Sequence, residues 1–177
     1  MERASKHIFA ALALILAGSF SITTLAFDWS SVGPNANEES QEEDTPPPPQ
    51  TEDMIHARGL EQLPNDHWQE NNPYRGNAKA VAEGARLFSR VGCKDCHGIK
   101  AVSGGTTPDL RKLGPDKDAL YLERMRNGSS KGMPSFENRV TQEAMWAIRS
   151  YIDVRWAQYN DSDVEWAKNE EFEQYRP

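Results

Sequence analysis

At 177 residues, with 37% hydrophobic and 27% charged residues, the chain has material for one ordinary domain with solvated segments beside it. Its formal charge of −7 excludes a nucleic-acid binder, which needs a basic surface for phosphates. The two cysteines, Cys93 and Cys96, share one pentapeptide, which excludes a disulfide framework.

The first segment reads as an address. Arg3, Lys6 and His7 make a basic start, and an apolar run follows from Ile8 to about Leu25. Thr24-Leu25-Ala26 suits cleavage after Ala26, so residues 1–26 are expected to be an export signal. The run approaches the ~20 apolar residues of a membrane span, but Gly18, Ser19, Ser21, Thr23 and Thr24 dilute its second half. Left uncleaved it would be an anchor, the one route by which this chain would engage a membrane. Either way the remainder is expected in the periplasm.

Residues 27–50 read as a disordered linker. Glu38, Glu39, Glu42, Glu43 and Asp44 repel one another, and Pro46 to Pro49 favour a stiff, extended spacer. Residues 51–76 form an N-terminal extension in which Leu60, Leu63, Trp68 and Tyr74 are spaced among polar residues as anchors on a neighbouring surface.

Three helical patterns follow, at about Ala78 to Arg90, Ala119 to Asn127, and onward from Thr141. Asn77 suits the N-cap of the first, and Val81, Gly84, Ala85 and Phe88 fall on one of its faces. Asp118 can cap the second and Gly128 can end it. Thr141 can cap the third, with Val140 and Met145 as a hydrophobic staple and Met145, Ile148, Tyr151 and Ile152 as its buried stripe. No run alternates as a strand does, so the fold class is all-α. Residues 156–177 are a charged extension carrying Trp156, Tyr159, Trp166, Phe172 and Tyr175, able to prolong the last helix and then wrap the domain.

The chemistry sits in Cys93-Lys94-Asp95-Cys96-His97. Two thiols three positions apart reach the two vinyl groups of one haem from a single turn, and the next residue, His97, is then held under the iron. Covalent attachment also gives a small core a large apolar plate. A thioredoxin-like pair would need a preceding strand, and a zinc site a further paired motif; the sequence has neither. The other iron ligand has several candidates: Met54, Met125, Met133, Met145 or a second histidine. Met133 is favoured because Lys131-Gly132-Met133-Pro134 forms a stiffened loop in which Gly132 lets the backbone pass near the haem, whereas Met125 and Met145 lie on helix faces where methionine fills core. A His/Met pair raises the reduction potential and leaves no open position for peroxide or oxygen, which favours a carrier over an enzyme.

With these residues in view, the stretch from about Asn77 to Arg155 resembles the monohaem class I cytochromes c. The resemblance implies a cytochrome c-like orthogonal helical domain at 77–155, with one covalent haem c on Cys93 and Cys96. It makes His97 and Met133 the axial ligands and sets Gly84 and Phe88 against Ile148, Tyr151 or Ile152 of the last helix. It also implies that Pro108, in Thr107-Pro108-Asp109-Leu110, offers its carbonyl to the proximal histidine. Arg111, just beyond, is open to two readings, a partner for a haem propionate or a solvated surface residue. Asn72-Pro73-Tyr74-Arg75-Gly76-Asn77, Ser103-Gly104-Gly105 and Gln142-Glu143-Ala144-Met145-Trp146 further resemble periplasmic cytochromes that accept electrons from quinoprotein (PQQ-dependent) alcohol dehydrogenases, including those of methanol oxidation.

That narrower likeness implies a diffusible carrier, reduced by such a dehydrogenase and oxidised by a terminal oxidase or another cytochrome. Two alternatives stand beside it. One is a tightly bound haem subunit of a periplasmic oxidoreductase complex. The other is a haem enzyme or sensor with an open distal site.

Overall fold

The computed structural model describes residues 46–176. The expected signal at 1–26 and most of the expected linker lie outside the described residues.

Four α-helices carry the architecture. Helix α1 spans Ala78–Arg90, α2 Cys93–His97, α3 Asp118–Asn127 and α4 Gln142–Tyr159, with short 3-10 turns between and after them. Among the described residues there is no strand, only an isolated parallel bridge between Ile55 and Val140. No helix among them is long and apolar enough to cross a membrane.

Helix α1 starts where its local chemistry directs. The Asn77 side chain accepts from the backbone N–H groups of Lys79 and Ala80, satisfying two donors that have no partner inside the helix. Its inward face includes Ala80, Val81, Gly84, Leu87 and Phe88. That face crosses α4 so closely that a Cβ at Gly84 would stand 1.9 Å from the Ala147 carbonyl oxygen. Beside the crossing, the rings of Phe88 and Tyr151 are 5.5 Å apart.

Helix α4 departs from the expected stripe. Fifteen of its 18 residues are buried, because α1 covers one side while the N-terminal extension, α3 and the C-terminal segment cover the others. Val140 and Met145 are both fully buried at its start. Thr141 occupies the cap position, but its hydroxyl donates to Glu143 Oε1 at 2.6 Å rather than accepting from the helix.

Asp118 is likewise not the cap of α3; it is the first helical residue, and its carboxylate is drawn inward. It accepts from Arg149 Nε at 2.8 Å, Arg75 Nη2 at 2.6 Å and Asn72 N at 2.8 Å. Asp153 completes the cage: its Oδ2 accepts from Arg75 Nε and Asn72 Nδ2, and its Oδ1 lies 3.1 Å from Arg149 Nη2 without hydrogen-bond alignment. Burial, the leading cause, raises the Asp153 pKa above its ordinary value despite the two guanidinium groups. Two cations and two anions therefore balance out of water, joining the extension, α3 and α4.

The extensions at 51–76 and 156–177 belong to the same body as the helices. Met54, Trp68 and Tyr74 are buried, and Gln50 Nε2 donates to Glu143 Oε2 at 3.0 Å. At the other end α4 runs on to Tyr159; Phe172 then packs with Val81 and Val154, and the ring of Tyr175 sits 5.7 Å from that of Tyr151.

Candidate functional site

Helix α2 is a single short turn between Gly92 and Gly98, which both have left-handed φ, 92° and 75°. Chain reversal at both ends presents Cys93, Cys96 and His97 together. Both cysteines are free thiols, Cys93 half-buried and Cys96 exposed. Burial pushes the Cys93 thiol up to about 11. A redox dithiol is ordinarily activated the other way, by a depressed pKa that supplies thiolate. Among the described residues no group of three His, Cys, Asp or Glu side chains is arranged to hold one metal ion between them.

His97 is buried to 9% exposure, and its Nδ1 lies 3.0 Å from the Pro108 carbonyl oxygen. A proton on Nδ1 then serves that bond and leaves the Nε2 lone pair for a metal. The loop that carries Pro108 is tied back to α2, since Thr107 Oγ1 donates to Cys96 O at 2.7 Å and Ser103 Oγ donates to Thr107 O at 2.9 Å. Beyond Pro108, Asp109 takes the Nε–Nη2 edge of Arg111 at 2.9 and 2.7 Å, and the Arg111 guanidinium stacks 4.4 Å from the centre of the Tyr159 ring. The hydrogen bond from Arg111, first among the causes, holds the Asp109 carboxyl below its usual range. That edge of Arg111 is thus occupied within the protein.

Met133 is half-buried in the loop between α3 and α4 and packs against the same apolar core as Cys93, Leu110 and Leu113. Ser129 N donates to Met133 O at 2.8 Å and Phe136 N to Met125 O at 2.8 Å, closing the loop onto the end of α3. At Gly132 a Cβ would meet no protein atom within 4 Å, and its φ of 101° favours glycine. The tight contact is at Gly128, where a Cβ would stand 2.3 Å from Met133 O. The helix methionines, Met125 and Met145, are core residues at 2% and 0% exposure.

The donor set fits a covalently attached haem. Two free thiols and an imidazole with one nitrogen uncommitted share a single turn, and the indole N–H of buried Trp146 has no acceptor among the described residues. Two features escape a reading of the sequence. The cage of Arg75, Asp118, Arg149 and Asp153 is assembled from three separate parts of the chain. Arg155 is buried, and among the described residues no carboxylate is hydrogen-bonded to it. The only sequence signal was the i, i+4 spacing of Arg149 and Asp153, which on an isolated helix means an exposed pair.

Comparison with known proteins agrees with the donor set. Residues 79–152 match the family described as cytochrome c oxidase, cbb3-type, subunit III. Cytochrome c550 of Pseudomonas aeruginosa is 35% identical over 150 residues, covering 79% of this chain and 89% of that protein. Quinohemoprotein alcohol dehydrogenase ADH-IIG of Pseudomonas putida is 43% identical over 77 residues, 43% of this chain but 11% of the enzyme. The dehydrogenase subunit of the Gluconobacter oxydans alcohol dehydrogenase (quinone) is 34% identical over 80 residues, again 11% of its length. No solved structure gives a significant match. The all-α fold built around a Cys-x-x-Cys-His turn, matched along nearly the whole of cytochrome c550, places this chain in the family of class I c-type cytochromes, electron-transfer proteins with one covalently bound haem c.

Proposed function

We propose that the protein is a periplasmic single-electron carrier between a quinoprotein (PQQ-dependent) alcohol dehydrogenase and a terminal oxidase or another cytochrome. Cys93 and Cys96 form the thioethers, and His97 and Met133 are the axial ligands. Pro108 orients His97 through its carbonyl, and Arg111, whose other edge is taken by Asp109, would be available to a propionate. The bound haem supplies a one-electron Fe(III)/Fe(II) couple. The chain holds the imidazole at one angle, keeps water from the ring, and presents a methionine sulfur that favours the reduced state. With both axial positions filled by side chains, the protein carries electrons and transforms no substrate.

The observation that carries this reading is the shape of the likeness. Cytochrome c550 is matched almost end to end, whereas the proteins named as quinone-linked or quinohaem alcohol dehydrogenases are matched over about a tenth of their length. A separate carrier, able to meet such an enzyme and leave again, accounts for both.

Stopped-flow mixing of the oxidised protein with a purified PQQ-dependent alcohol dehydrogenase and its alcohol tests the donor. Reduction should be second order, and its rate should depend on ionic strength, because a chain of charge −7 engages partners electrostatically. Absence of reduction at every salt concentration removes this donor.

The ligand assignment has its own test. Met133→Ala should open one axial position, so that the reduced variant binds carbon monoxide at neutral pH while the unaltered protein does not. Carbon monoxide binding by the unaltered protein would remove Met133 as a ligand.

A further inference from the structure

We propose that Arg155 sets the electron affinity of the haem: a permanent positive charge, shut away from water behind the attachment segment and, among the described residues, without a carboxylate hydrogen-bonded to it, with the C-terminal segment as its seal. The inference rests on His97 as the proximal ligand, since that places Arg155 on the proximal side.

Arg155 is 1% exposed. Its Nε donates to Lys100 O at 2.9 Å, and its Nη1 donates to Gln158 Oε1 at 2.7 Å and to Tyr175 O. Its Nη2 is buried without a partner among the described residues. Every acceptor is neutral. The contrast with Arg149, 0% exposed, is direct: that guanidinium faces both Asp118 and Asp153. Asp109 and Arg111 are near enough to act on Arg155, but they are paired with each other at 2.7 Å and largely cancel. Burial lowers the Arg155 pKa, yet a guanidinium stays charged throughout the working range of a protein.

Its position ties the charge to the haem site. Lys100 stands three residues beyond His97, and Lys100 and Ala101 hold left-handed φ values of 58° and 61°. Non-glycine residues keep such angles only where the surroundings fix them, and the Arg155 bond to Lys100 O is one such fixture. The segment that offers Pro108 O to His97 continues directly into Asp109 and Arg111, which act on the same guanidinium. Arg155 is therefore flanked by both stretches of chain that position His97.

The tail keeps the site dry. Tyr175 O takes one Arg155 N–H, and Gln158 Nε2 donates to Phe172 O at 2.6 Å. Lys100 Nζ donates to Arg176 O at 2.5 Å, and Phe172 is 2% exposed. The tail thus covers a cation that water would otherwise screen.

Reduction adds one electron to the iron and requires no proton, so the haem becomes more negative by one charge. A fixed cation in a low-dielectric setting favours that product, and it does so more strongly without a carboxylate beside it.

The test uses full-length, haem-loaded Arg155→Met, Arg155→Lys and Gln158→Glu. Midpoint potentials are read by spectroelectrochemical titration, together with the low-spin absorption spectrum and the melting temperature. Gln158→Glu is the sharper variant, because it puts a carboxylate where a neutral oxygen already accepts from Nη1. Arg155→Met and Gln158→Glu should each lower the potential, by about three-fold or more in the one-electron equilibrium constant, with the axial-ligand spectrum unchanged. Arg155→Lys should stay near the unaltered protein.

A residue that only fills space would lower the melting temperature of both oxidation states and leave the potential alone, and that result overturns the proposal. A fall in Arg155→Met without one in Gln158→Glu also overturns it, since repacking and not charge would then be the cause. If Arg155→Met does not accumulate, Gln158→Glu decides. The spectrum of the unaltered protein tests the His97 and Met133 assignment separately, because it involves no change at residue 155.

Discussion

Cys93→Ala combined with Cys96→Ala yields a chain that carries no porphyrin through denaturation. The denatured variant shows only the polypeptide mass, and the alkaline pyridine bands of thioether-linked haem are absent. Each single variant keeps one thioether, with bands shifted toward those of a haem that retains one vinyl group. The effect is large because these are the chain's only thiols, and they share one short turn with His97. It also reaches beyond the cofactor, because apolar side chains that would pack on a bound haem lose that burial. The double variant should therefore lose its cooperative melting transition and be degraded during production. Porphyrin mass surviving denaturation in the double variant would end the attachment assignment.

Gly84→Ala carries the largest expected loss of stability from a single methyl group. The added carbon would stand 1.9 Å from Ala147 O and 2.6 Å from Ala147 C, with Ile148 N at 3.1 Å. All three are backbone atoms of a buried helix, so no side chain can swing away; α1 and α4 must separate. Overpacking ordinarily costs ~1–3 kcal/mol, and a clash against backbone belongs at or above the top of that range. At ~3 kcal/mol the midpoint falls by roughly 10 °C or more in a domain of this size. Gly104→Ala is the control: a Cβ there meets nothing within 4 Å, and its melting temperature should move by no more than a degree or two. Equal effects from the two substitutions would show that the helix crossing is not held as closely as the structure has it.

What was legible in the sequence shares one property: its cause is local. Asn77 caps α1 through N–H groups two and three residues on, Gly128 ends α3 where a left-handed turn is needed, and the haem turn is five consecutive residues. Periodicity also gave the inward face of α1, because only one side of that helix is covered. It failed for α4, where burial on nearly all sides erases the difference between stripe and surface. Asp118 illustrates the remaining loss. Before a helix an aspartate reads as a cap, and nothing near it in the chain announces that Arg75, 43 residues earlier, and Arg149, 31 residues later, will claim it. Pro108 was reached through family likeness, and the structure sets its carbonyl 3.0 Å from His97 Nδ1. Met133 was reached through loop composition, and the structure places it against the same core as Cys93.

The enclosure of α4 also has a consequence for the order of events in maturation. A chain threaded through a membrane from its N-terminus delivers Cys93-Lys94-Asp95-Cys96-His97 some 45 residues before the start of α4 at Gln142. Until Ala147 emerges, the inward face of α1 has nothing to cross, and Met54, Trp68 and Tyr74 lack the helix they settle around. Attachment before α4 has emerged would therefore act on an open stretch, which the packing of α4 then closes.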